Sequence, residues 1–248
     1  MISFSSEVIT HIGFFKITNS LLNILLVDCI LVALVISVRN KLSLIPGLLQ
    51  NAVEFLIEGF YNLTESISNK NSGRIFRFFI SFFLFILVLN WSGLIPGVGT
   101  IGFFEHGKLI PVLRSGASDL NVTLGLALVS AVATHVLSIQ TLGIKSYLGR
   151  YFSINPINLF IGILEIISEI TKVISLSFRL FGNIFAGEVV LATTSSMIAF
   201  LFPIPFLLLE IIVGFVQALV FSMLTMTFMA ILTTPHHEEE TAKEVSRI

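Results

Sequence analysis

Long apolar runs alternate with short polar breaks along most of this chain, and the runs have the length needed to cross roughly 30 Å of hydrocarbon. They occupy Leu21 to Val38, Phe76 to Ile95, Leu120 to Leu142, Ile157 to Phe202 and Phe206 to Leu232. This predicts an all-α integral membrane protein with five crossing helices, in one membrane domain over residues 1–248 that ends in a polar cytoplasmic tail at 233–248. The stretch before the first run carries Glu7 and only Lys16, with no small-residue cleavage pattern after the apolar core, so that run is expected to be a mature span and not a signal peptide.

Pro46 to Ser68 follows another pattern. Glu54, Glu58 and Glu65 recur at helical spacing opposite Val53, Leu56, Ile57 and Phe60. Its apolar core is too short and too acidic to cross, so it predicts an amphipathic helix lying on the membrane surface. A helix within a soluble loop is the plainer alternative.

Composition agrees with the runs: hydrophobic residues make up 55% of the 248 and charged residues 12%, which is the balance of an integral membrane protein. A net charge of -1 argues against a nucleic-acid surface, and the single Cys29 excludes an internal disulfide framework. No GxxxxGK[ST] occurs, so neither a nucleotide cofactor nor nucleotide catalysis is expected of this chain.

Positive charge sets the orientation. With the amino terminus outside, five crossings place Arg39, Lys41, Lys70, Arg74, Arg77, Lys145, Arg150, Lys243 and Arg247 on the cytoplasmic side, against Lys16, Lys108 and Arg114 outside. That asymmetry is the positive-inside distribution. The carboxy terminus is then cytoplasmic.

The fourth run is unusually long, and it holds Glu165, Ser168, Glu169, Lys172, Ser175, Arg179, Asn183 and Glu188 among Ile, Leu, Val and Phe. At about 100° per residue, Glu165, Ser168, Lys172, Ser175, Arg179 and Asn183 fall within an arc of roughly 80°. Arg179 is the costly member, because a guanidinium cannot discharge and sits mid-bilayer at a cost of at least about 2.5 kcal/mol. A helix of about 45 residues is roughly 65 Å long, so this one must tilt strongly, bend or break, with Gly182 and Gly187 offering places to do so.

After Pro203-Ile204-Pro205, read as a tight turn, the fifth run places Glu210, Gly214 and Gln217 on one face at i, i+4 and i+7. The two helices should be antiparallel neighbours, with Gly214 admitting the preceding helix and Glu210 or Gln217 against its polar stripe. A non-titrating cation flanked by Glu165 and Glu169 toward the cytoplasm and by Glu188 and Glu210 toward the outside suggests an ion path interrupted by a positive barrier.

The run SFRLFGNIFAGE around Arg179, with NWSGLIPG from Asn90, SDLNVTLGLAL from Ser118 and Gln217 in FVQALVF, closely resembles subunit a of the F-type ATP synthase over nearly the whole chain. The resemblance implies a stator beside a ring of c subunits, within the whole F-type complex and beside b-type peripheral stalk subunits. It implies that Arg179 faces the ring and separates two half-channels, with Gln217 nearby. Asn183, Glu188 and Glu210 would then belong to the outer half-channel, and Glu165, Ser168 and Ser175 to the cytoplasmic one. A bacterial inner membrane suits the Gly182, Gly187 and Glu188 pattern better than an organelle. Many members pair a carboxylate with a histidine where this chain has Glu188 and Glu210, and two nearby acids titrate as a coupled pair.

Plainer readings stand beside these. Lys172 is as well explained by a structural ion pair with Glu169 or Glu165 as by a channel role, His135 by helix packing, Asp119 by an N-cap, and Asp28 is left without a role. The tail His236-His237-Glu238-Glu239-Glu240 is read as solvated and not as a metal site. A self-sufficient ion carrier is the competing function, weakened by the lack of an internal repeat. A membrane scaffold gives no reason for Arg179.

Overall fold

The structure is a computed structural model, and it describes residues 7–12, 15–40, 47–68, 71–95, 102–105, 108–151, 156–197 and 203–234. Among the described residues seven helices follow one another: α1 (Asn19–Asn40), α2 (Leu48–Ile67), α3 (Ser72–Ser92), α4 (Leu120–Leu142), α5 (Ile144–Tyr151), α6 (Pro156–Met197) and α7 (Pro203–Thr233). Two short antiparallel hairpins join them, β1 (Val8–Ile12) with β2 (Phe15–Thr18), and β3 (Gly102–Glu105) with β4 (Lys108–Pro111). A 3-10 turn at Gly116–Ser118 precedes α4.

Among the described residues four helices, α1, α3, α4 and α7, are long and apolar enough to cross a membrane. The expected fourth run forms the 42-residue α6, continuous through Gly182 and Gly187 and interrupted by five charged side chains. Its expected last residues, 198–202, and the tail from 235 lie outside the described residues.

Three local expectations are corrected. Pro203 and Pro205 do not form a turn; they lie in the first turn of α7, where a missing N–H removes no helical hydrogen bond. The helix expected over the second run starts at Ser72 and ends at Ser92, not at Ile95, because Gly93 and Leu94 already form a turn. Helix α5 occupies a stretch where no element was expected. Its start is prepared by Gly143, whose φ of 80° ends α4 in a conformation that a side chain resists.

The bundle is built around α7, which lies along α3 and is bridged to α6 by α4. Phe79, Phe83, Ile86 and Leu89 of α3 and Phe221, Met226 and Met229 of α7 are fully buried. Phe60 of α2 closes this layer edge-on, its ring centroid 4.9 Å from that of Phe83. Small hydroxyls fix the register of α4: Thr123 meets Ser177 at 3.2 Å, Ser130 meets Thr225 at 2.9 Å, and Ser138 donates to the Leu232 carbonyl at 2.7 Å. Such bonds contribute only about 0.6 kcal/mol each inside a membrane, so they specify alignment more than they stabilise.

Helix α1 touches α3 through Asn23 and Val27, with Asn23 donating to Ser92 at 2.9 Å, and leaves Leu25, Ile30, Val32 and Val35 exposed. Helix α6 likewise exposes Ile163, Ile167, Ile170, Ile174 and Phe178, spaced three or four apart. Apolar faces left open along whole helices suit hydrocarbon or another membrane protein, not water.

Candidate functional site

The α6–α7 interface gathers ionisable and amide side chains into a group at Glu188 and Glu210, a centre at Arg179 and a group at Glu165 and Glu169; on the orientation expected from the positive charges, the first is the outer group and the last the cytoplasmic end. In the outer group Asn183 of α6 donates Nδ2 to Oε1 of Gln217 on α7 at 2.7 Å. Gln217 and Glu210 are 4% and 6% exposed. Gly187 lies directly under Glu210: a Cβ there would come within 2.7 Å of the Glu210 Cδ, so a side chain at this position would push the carboxylate from its place over α6.

The gap at Gly214 serves a different neighbour from the one expected. It faces α3, where a Cβ would meet the Asn90 Cβ at 3.3 Å, and not α6. Asn90 donates to the Gly214 carbonyl at 2.9 Å and Trp91 to the Ile211 carbonyl at 3.1 Å. The polar face of α7 is therefore shared: Gly214 docks on α3 while Glu210 and Gln217 turn to α6. The reason is packing, since α3 is the most extensive neighbour of α7.

Glu188 pairs with Arg114, whose Nη2 lies 3.6 Å from its Oε2. Arg114 is only 8% exposed and donates Nε to Ser118 at 3.1 Å. Sequence reasoning missed this residue, because Arg114 stands outside every apolar run. The run SGAS after it, small enough to be buried whole, was the available signal.

At the centre Arg179 is exposed on α6 and donates Nη2 to the Ser175 hydroxyl at 3.3 Å. No ion pair to Arg179 is found among the described residues. Ser168, Lys172, Ser175 and Arg179 line a cavity of about 420 Å³, with Leu224 and Phe228 of α7 as its apolar wall. The cavity is rich in donors and cations, so it suits a carboxylate.

At the cytoplasmic end Arg150 of α5 pairs with Glu165 through Nε and Oε1 at 2.5 Å. Lys172 lies 2.7 Å from Glu169, one turn back, and 4.5 Å above the Phe228 ring. His135 of α4 approaches the other Glu169 oxygen at 3.8 Å, and its Nδ1 meets the Tyr147 hydroxyl at 3.0 Å. Burial holds the Tyr151 phenol above its ordinary range, with Tyr147 beside it adding to the shift, so it stays protonated. Helix α5 sits close because Gly162 leaves room for the Tyr151 carbonyl.

Asp119 caps α4 by accepting from the Asn121 amide at 2.9 Å. Asp28 is exposed on α1, which packs on α3. No cluster of metal-binding side chains occurs among the described residues.

Apolar helices with ionisable groups gathered inside the bundle define a helical, multi-pass membrane protein. Residues 20–230 match the family model described as ATP synthase A chain. The chain is 34% identical over 222 residues to ATP synthase subunit a of Moorella thermoacetica, covering 90% of this chain and 94% of that protein. It belongs to the ATP synthase subunit a family.

Proposed function

We propose that this chain is the ion-translocating stator subunit of an F-type ATP synthase, providing two offset half-channels that pass protons, or sodium ions, to and from carboxylates on a c-subunit ring. The reading places it in a bacterial inner membrane with the amino terminus outside and the carboxy terminus cytoplasmic. It has α1, α3, α4, α6 and α7 crossing, α2 on the surface, and b-type stalk subunits alongside. At 42 residues α6 is roughly 63 Å long, so it crosses strongly tilted with α7 against it. The subunit is not itself catalytic; nucleotide chemistry belongs to other subunits.

The observation that carries this is the contrast at Arg179. It is a permanent cation with no acid to pair with among the described residues, on a helix whose flanking acids are turned to other partners. A mobile carboxylate on a ring fits that vacancy of charge. On the outer side Glu188 Oε2, Glu210 Oε2 and Gln217 Nε2 are buried without a protein hydrogen-bond partner, which is costly unless water or an ion reaches them. Asn183, Glu188, Glu210 and Gln217 thus form the outer path, and Glu165, Ser168 and Ser175 the cytoplasmic one.

The cycle follows from charge. As a ring carboxylate reaches Arg179, the guanidinium favours its ionised form and the ion leaves to one path. Rotation brings the empty site to the other path, where it reloads. Direct passage is blocked because the arginine repels a free cation and cannot give up its own proton. The membrane potential contributes about 2.3 kcal/mol per charge per 100 mV, and the rotor carries that work away.

Arg179→Ala and Arg179→Lys in the assembled complex test this through ATP-driven pumping and passive leak. Both are expected to lose pumping, and Arg179→Ala to leak as well. Lysine fails because its compact ammonium can deprotonate when buried. Coupling at the wild-type level in both variants would overturn the reading.

A further inference from the structure

Arg114 lies in the segment after β4, outside every apolar run, yet its side chain and the following Ser115, Gly116, Ala117 and Ser118 are all buried. The backbone there is seated at glycine-only distances. A Cβ on Gly93 would fall 2.6 Å from the Ser115 Cβ, and one on Gly116 would fall 2.8 Å from Leu89 of α3. A turn held this firmly gives the arginine a fixed base. Its Nε donates to Ser118 Oγ at 3.1 Å, and that hydroxyl donates to the Ser115 carbonyl at 2.9 Å, which sets the plane of the guanidinium.

From this mount Nη2 reaches Glu188 Oε2 at 3.6 Å. The acid next to the turn, Asp119, is engaged elsewhere, capping α4 through the Asn121 amide. A buried arginine must be paired to be tolerated, and Glu188 is the acid it meets. The contact is electrostatic and longer than a direct hydrogen bond, so it fixes the carboxylate without occupying that oxygen, which has no hydrogen-bond partner.

The geometry points to Arg114 as a positioning residue for the outer path: a fixed counter-charge, carried by the turn ahead of α4, that holds the Glu188 carboxylate where ions enter. This rests on the stator reading above. It makes the path a product of three segments, since α6 supplies Glu188, α7 supplies Glu210 and the turn supplies the cation beside Glu188. Arg179 bars passage; Arg114 keeps the acid in place.

The test uses the whole complex with Arg114→Gln, Arg114→Lys and the double variant Arg114→Gln with Glu188→Gln, beside Arg179→Ala. ATP-driven pumping, passive leak and the amount of this chain in assembled complex are measured. Arg114→Gln is expected to slow pumping at least about tenfold, the scale of removing one partner from a buried ion pair, without the leak of Arg179→Ala. Arg114→Lys should restore pumping to within about threefold of wild type, because it keeps the charge. If Arg114→Gln assembles poorly, the double variant should assemble better, since neutralising both partners leaves no buried charge unpaired. Wild-type pumping in Arg114→Gln, no gain with lysine, or an assembly defect that deepens in the double variant would each overturn the role. An Arg179→Ala variant that still pumps without leak would instead sink the stator reading itself, whatever Arg114 does.

Discussion

The two ends of the α6–α7 interface carry similar numbers of acids but satisfy them to different degrees. At the cytoplasmic end Glu165 and Glu169 are each matched to a nearby cation, Arg150 from α5 and Lys172 from the same helix. At the outer end Glu188 has Arg114 at the longer distance of 3.6 Å, Glu210 has no ion pair among the described residues, and one oxygen of each is buried with no protein hydrogen bond. An acid matched closely to a cation is already stabilised; an acid oxygen buried without a partner awaits water, ions or protons. On the proposed function the outer end is therefore the more demanding half of the path, and it depends most on tertiary placement.

Removing an outer acid should have the largest effect. Glu210→Gln keeps the shape but deletes the group that takes up the ion, and a positioned proton-transfer group contributes about a hundredfold or more. ATP-driven pumping and ATP synthesis in reconstituted complex should fall by that order, with assembly intact. Near-normal rates would break the contrast between the two ends.

Gly187→Val comes next. Its side chain would occupy the space of the Glu210 carboxylate, and overpacking of this kind costs about 1–3 kcal/mol. A fall in pumping of about tenfold is expected, with part of it recovered by shortening the acid in Gly187→Val with Glu210→Asp. No recovery would mean that the crowding lies elsewhere.

A smaller effect is expected from Arg150→Gln at the cytoplasmic end. Losing the partner of Glu165, in a mostly buried pair, should loosen α5, so that limited proteolysis cuts near residues 144–151 sooner, while pumping falls by less than about fivefold because the lost partner holds α5 and does not itself carry the ion. A loss as deep as that of Glu210→Gln would place both ends on the same footing. Lys172→Met should do least, changing pumping within about twofold, since a partly exposed pair one turn apart on a helix contributes well under about 1 kcal/mol.

Much of this was legible from spacing. The polar stripe from Glu165 to Asn183 needed only the helical period, and Ser168, Ser175, Arg179 and Asn183 do lie exposed along one side of α6. The Asp119 cap was readable because capping is local. Gly214 was misassigned because a period places a residue on a face without saying which neighbour covers it. The Pro203 and Pro205 reading failed because proline marks a helix start as readily as a turn.

The sequence by itself determined the membrane class, the runs that become α1, α3, α4 and α7, and the presence of one untitratable charge in the longest apolar stretch. These rest on hydropathy and period, which are properties of neighbours along the chain. Tertiary structure alone decided that Glu210 crosses over Gly187, that Arg114 comes in from outside the spans to meet Glu188, and that α5 brings Arg150 to Glu165. Each of these joins residues from separate elements, and for charges the cost of burial turns on which partner packing brings within a few ångströms.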